Sequence, residues 1–144
     1  MRDSRKSHTL RSVLNHLRKS AANTEFAYDV WICNSRIEHT LLWQFAVEVL
    51  QSEPSAPYKA PPSAATKVVW SGEETLEEKT AKEIYPFVCD ILWSLAVRGV
   101  LRPGIRAFDA STLKEGFGYS LTLKGRKWIT KYTDSDIADL LAEL

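Results

Sequence analysis

In this chain of 144 residues, the residue types that could support catalysis or metal binding are three histidines, two cysteines and a run of glutamates. His8, His16 and His39 are not spaced as ligands and fall among polar neighbours, so they are expected at the surface. Cys33 and Cys89 lie far apart and form no paired ligand motif; each sits in an apolar stretch, where a thiol usually serves as inert packing. Glu73, Glu74, Glu77 and Glu78 cluster within six residues. Paired carboxylates can hold a divalent ion or move a proton. At the start of a helix they also stabilise the unsatisfied N–H groups through the macrodipole, and that structural reading is preferred. No nucleophile elbow, phosphate loop or zinc-binding helix motif appears. The expectation is a protein that is not an enzyme and uses neither cofactor nor metal.

Charge carries more information in its distribution than in its total of +1. Residues 1–20 hold six basic and one acidic side chain, and residues 24–83 hold five and ten. Residues 84–132 return to eight basic and three acidic, while the last twelve carry acidic charge only. Local basic blocks in a near-neutral chain can form one cationic face suited to a polyanion, or can simply solvate helix surfaces.

A length of 144 residues suits one domain able to bury its own core. The hydrophobic fraction of 44% and charged fraction of 26% are those of an ordinary globular protein. The first residues contain no apolar signal region, and no stretch approaches the roughly 20 apolar residues of a membrane span. With no disulfide framework in view, a reducing cytoplasm is the expected compartment and no membrane partner is expected.

Apolar residues at Leu10, Val13, Leu14 and Leu17 mark one face of a helix over about 5–20. That stripe could seat on a second copy of the chain or cover its own core; self-packing is preferred. A short apolar stretch from Phe26 to Ile32 follows Thr24, a plausible N-cap. Ser35 and Glu38 have capping-box spacing for a helix running to about Gln51. Four prolines within 52–66 read as an extended loop, and Lys67 to Trp70 as a brief strand. Thr75 and Glu78 offer a second capping box for a helix over 75–83, and Pro86 suits the first turn of another that ends near Gly99. Val100 to Gly104 should leave in extended form. Phe117, Tyr119, Leu121 and Leu123 alternate with Gly118, Ser120 and Thr122, which predicts a strand with one buried face. Residues 105–109 are its weaker hairpin partner. Two helices, about 124–132 and 134–143, close the chain, the second capped by Thr133 or Asp134.

From residue 36 the order is helix, short strand, helix, helix, hairpin, helix. Two segments carry a resemblance: Ile91-Leu92-Trp93-Ser94-Leu95-Ala96-Val97-Arg98-Gly99-Val100-Leu101, and Gly118-Tyr119-Ser120-Leu121-Thr122-Leu123-Lys124-Gly125-Arg126. In this order they resemble the bacterial type of the winged helix-turn-helix superfamily, over about two-thirds of the chain. The resemblance implies an α+β, mostly helical fold. Residues 1–34 would be an N-terminal helical extension, 35–132 the winged-helix domain with its proline-rich loop, and 133–144 an acidic C-terminal helix.

The resemblance also implies where a partner would sit. In such domains the third helix enters the major groove of duplex DNA while basic residues of the wing and its flanks hold phosphates. Arg98, Arg102, Arg106, Lys114, Lys124, Arg126 and Lys127 are the candidate phosphate contacts, with Lys131 close by. If Phe87, Ile91 and Leu95 face the core, the outer face shows Asp90, Trp93, Ser94 and Val97, with none of the residues that commonly read base edges. Asp90 and Trp93 there suit a protein contact, although Trp93 could equally cover the core edge. Two functions follow as expectations: first a DNA-binding winged helix acting in transcription regulation or as a DNA-gripping module, and as the alternative a protein-interaction subunit of a larger complex docking through its third helix; a homodimer would form along the Leu10–Leu17 stripe.

Overall fold

The computed structural model describes residues 1–22, 29–30, 41–54, 58–59, 74–103 and 119–144. Their elements run α1 (Asp3–Ala22), β1 (Asp29–Val30), α2 (Leu42–Ser52), α3 (Leu76–Val97), β2 (Leu101–Pro103), β3 (Tyr119–Leu121), α4 (Leu123–Trp128) and α5 (Asp134–Glu143). The mostly helical α+β class expected from the sequence is present. Among the described residues no helix is long and apolar enough to cross a membrane.

Burial follows the 3.6-residue period. Leu10, Val13, Leu14 and Leu17 of α1 are buried against their own chain, together with Phe45, Ala46 and Val49 of α2 and Ile84, Val88, Ile91 and Leu95 of α3. The stripe on α1 is thus consumed within its own fold. Arg5 reinforces the three-helix junction from its rim. Its guanidinium sits 2.6 Å from Glu53, just past α2, and 2.7 Å from Glu83 of α3.

The two helices expected at 75–83 and 86–99 are one. Thr75 caps it by accepting from the Glu78 N–H at 3.2 Å, and the helix then passes through Pro86 without ending. Proline removes one backbone donor and crowds the carbonyl four residues earlier. Here Pro86 and Lys82, the owner of that carbonyl, are both exposed. Water can reach the freed oxygen while the buried side of the helix keeps its packing. Ile84, Phe87, Val88 and Ile91 bridge the proline on the core side, and that continuous apolar face outweighs a local stop signal.

α3 ends as its glycine predicts. Gly99 has φ +78°, its N–H donates to the Ala96 carbonyl at 3.0 Å, and the Val100 N–H donates to the Leu95 carbonyl at 2.9 Å. This is a Schellman motif, completed by the buried pair Leu95 and Val100. The chain leaves directly as β2. β3 lies between β1 and β2, antiparallel to both, with Arg102 opposite Ser120 and Val30 opposite Tyr119.

Several expectations change. β3 pairs with 101–103, and the partner expected at 105–109 lies outside the described residues, as do Lys67 to Trp70 and the Ser35–Glu38 box. Asp29–Val30 is strand where Thr24 suggested a helix start. Alternation also fails in β3: Ser120 and Leu121 are both buried. As the central strand, β3 has neighbours on both edges, and Ser120 accepts a hydrogen bond from Arg102 Nε at 2.9 Å. Leu123 is not on a buried strand face; it is exposed in the first turn of α4.

The segment from Thr122 to Gly125 has a clear physical logic. The Thr122 hydroxyl accepts from the Gly125 N–H at 2.8 Å, capping α4, and donates to the Gly99 carbonyl, while the Thr122 N–H donates to the Val100 carbonyl at 3.1 Å. Gly125 lies so close to that strand that a Cβ would fall 1.9 Å from the Val100 carbonyl oxygen. Only glycine permits the crossing. Finally, Thr133 and Asp136 form a reciprocal capping box at the start of α5, which buries Ile137 and Leu140.

Candidate functional site

Among the described residues, the most exposed large apolar side chains are Trp93, Val97 and Leu123, the first two on the outer face of α3. Phe87, Ile91 and Leu95 face the core as expected, which leaves Asp90, Trp93 and Val97 exposed. Trp93 is 60% exposed and Val97 71%, so Trp93 does not serve as a cover for the core edge. Leu123, at 68%, adds a third exposed apolar side chain where α4 begins beside the end of α3. Sequence periodicity missed Leu123, because it assumed the strand continued through Thr122. The Thr-x-x-Gly spacing of a helix cap was the signal that could have found it.

The basic residues nearby are largely engaged within the fold. Arg98 forms a salt bridge with Glu143 of α5, and its Nε is buried without a hydrogen-bond partner among the described residues. Lys124 Nζ donates to the Arg98 carbonyl at 3.3 Å, at the negative end of α3. Arg102 is exposed yet donates to Ser120. Arg126 is half-buried and Lys127 and Lys131 are exposed on or just after α4. Arg106 and Lys114 lie outside the described residues. Of the seven candidate phosphate contacts, Arg98 and Lys124 meet at the C-terminal end of α3, while Arg102 lies on β2 and Arg126 and Lys127 on α4.

The opposite end of α3 is acidic. Glu74 meets Lys82 at 2.6 Å; that contact holds the Glu74 carboxyl below its usual range and the Lys82 ammonium above its own. Glu77 accepts a hydrogen bond from the Tyr58 hydroxyl, whose pKa is raised by burial and by that carboxylate. Glu73 lies outside the described residues. These carboxylates act as helix and loop contacts, and among the described residues no group of three or more metal-ligating side chains converges.

The other chemically suggestive residues fall differently from expectation. His16 is not a surface group: its ring meets Phe45 edge-on at 5.8 Å, and burial, with Lys19 nearby, lowers its pKa. Cys89 is exposed on α3 rather than packed in the interior; partial burial raises its thiol pKa, the Tyr85 hydrogen bond opposes this, and Asp90 adds to it. Cys33 and His39 lie outside the described residues.

No protein-family model, curated protein or solved structure matches this chain.

Proposed function

We propose that the chain is a winged-helix module that docks a protein partner through the outer face of α3. Two observations support the winged-helix core. The order helix, short strand, helix, helix, hairpin, helix recurs from α1 to α4, starting earlier in the chain than the sequence motifs suggested. The strand between the first two helices also joins the hairpin as its third member.

The observation that carries the docking reading is the exposure of Trp93 and Val97 on one helix face, with Leu123 beside the helix end. Aromatic anchors of this kind concentrate binding energy at the centres of protein interfaces. Lys124, next to Leu123 and 3.3 Å from the Arg98 carbonyl, adds a cation that fits a partner with an apolar centre and a rim of carboxylates. In a DNA-reading helix the N-terminal turn approaches the bases. In α3 that turn carries Glu77 and Glu78, which repel phosphate.

A photo-crosslinking residue at Trp93, compared with one at exposed Ser135 of α5, tests this reading in extracts of the native host. Discrete adducts at position 93 that vanish in a Val97→Asp, Leu123→Asp background support it. Identical adducts from both positions overturn it.

A second reading, duplex DNA held through its phosphates, is favoured by the exposed Arg102, Lys124 and Lys127 on one end of the fold. Binding to a random duplex that weakens steeply with salt, and is abolished by Arg126→Glu with Lys127→Glu, supports it. Affinity unchanged by that double reversal removes it.

A further inference from the structure

A groove of about 450 Å³ lies between α1 and α2, away from the outer face of α3. Its lining residues are all polar. α1 contributes Arg11, Asn15, Arg18 and Lys19, and α2 contributes Glu48 and Gln51. That volume is within the range of small-molecule sites, and the side-chain ends around it offer hydrogen bonds and charge.

Arg18 is held in place by the segment that leads into α5, while Arg11 makes an exposed ion pair with α5 itself. Arg18 Nε donates to the Ile129 carbonyl at 3.3 Å, and its guanidinium lies 4.4 Å from the centre of the Tyr132 ring, which itself stacks on Trp128. Arg11 lies 3.5 Å from Asp134. The guanidinium of Arg18, fixed in this way, loses little freedom when an anion arrives. Seven residues separate the two arginines, roughly 10 Å along the helix at 1.5 Å per residue. Lys19 joins Arg18 at one end, so three cations and the Glu48 carboxylate line the groove, with Arg11 also paired to Asp134.

We propose that this groove binds a small hydroxyl-bearing molecule that carries two phosphoryl groups. One phosphoryl meets Arg18 and Lys19, and the other meets Arg11. The hydroxyls between them donate to Glu48 and exchange hydrogen bonds with Asn15 and Gln51. Guanidinium groups match phosphoryl oxygens bidentately, and the Glu48 carboxylate can accept from a ligand hydroxyl. A continuous nucleic-acid strand would place phosphate against Glu48, so the small ligand is favoured.

The test is calorimetric titration of the full chain with fructose 1,6-bisphosphate, against inorganic phosphate, tripolyphosphate and free fructose. The bisphosphate should bind about tenfold or more tightly than inorganic phosphate, and fructose should give no heat. Arg18→Gln and Lys19→Gln should each weaken it by about tenfold or more. Lys19 is exposed and makes no hydrogen bond or ion pair among the described residues, so that variant keeps the test open if Arg18→Gln disturbs the Tyr132 contact. Three outcomes overturn the proposal: no binding of the bisphosphate, unchanged affinity in both variants, or tripolyphosphate binding as tightly as the sugar. Release of the bound bisphosphate by a random duplex reassigns the groove to nucleic acid.

Discussion

Arg98 and Glu143 bind the end of α3 to the end of α5, and Ser94 Oγ donates to the same carboxylate at 3.3 Å. The acidic C-terminal helix thereby neutralises the cation nearest to Val97. Both side chains remain partly exposed, at 30% and 56%, so water screens the pair. Glu143→Ala should lower stability by less than about 1 kcal/mol in urea denaturation. Should the phosphate-gripping reading hold, the same variant should bind duplex DNA more tightly, because Arg98 is released; equal affinity would count against Arg98 as a contact.

Pro86→Ala should stabilise the protein by about 1–3 kcal/mol, since it restores a donor to the Lys82 carbonyl inside a continuous helix. In a chain of this size each kcal/mol raises Tm by roughly 2–4 °C. A neutral or destabilising result would mean that Pro86 opens a separate helix, as its position first suggests.

Gly125→Ala should be severe. The new methyl group would overlap the Val100 carbonyl, and backbone on backbone has nowhere to move. A loss of about 3 kcal/mol or more is expected by chemical denaturation; a loss below 1 kcal/mol would contradict the close crossing of α4 over β2.

His16 should make stability depend on pH. Its pKa is lowered in the fold, first by burial and then by Lys19. Around its ordinary value of 6.5 the unfolded chain therefore binds more protons than the folded one. The stabilising contribution is present above pH 6.5 and is lost as the pH falls from there through the folded value, below which it stays flat. Urea midpoints measured from pH 7.5 to 5 should show this fall, and His16→Phe should reduce it. An unchanged slope in the variant would assign the effect to other groups.

Much of this architecture is legible in the residues. The α1 stripe, the Gly99 exit, the Thr75 and Thr133 caps and the outward Trp93 follow from period, backbone freedom and short polar side chains. Pro86 misled because a local stop signal cannot report that core contacts run on both sides of it. Leu123 misled because period-two reading ignores the cap at Thr122. The Arg98–Glu143 and Arg18–Tyr132 contacts join residues far apart in sequence, and no local pattern encodes them. Of the candidate phosphate contacts, the sequence identified their types; it could not show that several already have internal partners.

The position of β3 has a consequence for the order of folding. β3 is the last of the three described strands to be synthesised, yet it supplies the hydrogen-bonding edge for both β1 and β2. While residues 119–121 are still inside the ribosome, the two earlier strands have no described neighbour. The helices can collapse first through α1, α2 and α3, but the sheet must wait for a pairing between residues about ninety positions apart. Long-range closure of this kind slows folding relative to helical contacts. A fragment ending at residue 103 would leave β1 and β2 without the strand that pairs with them both.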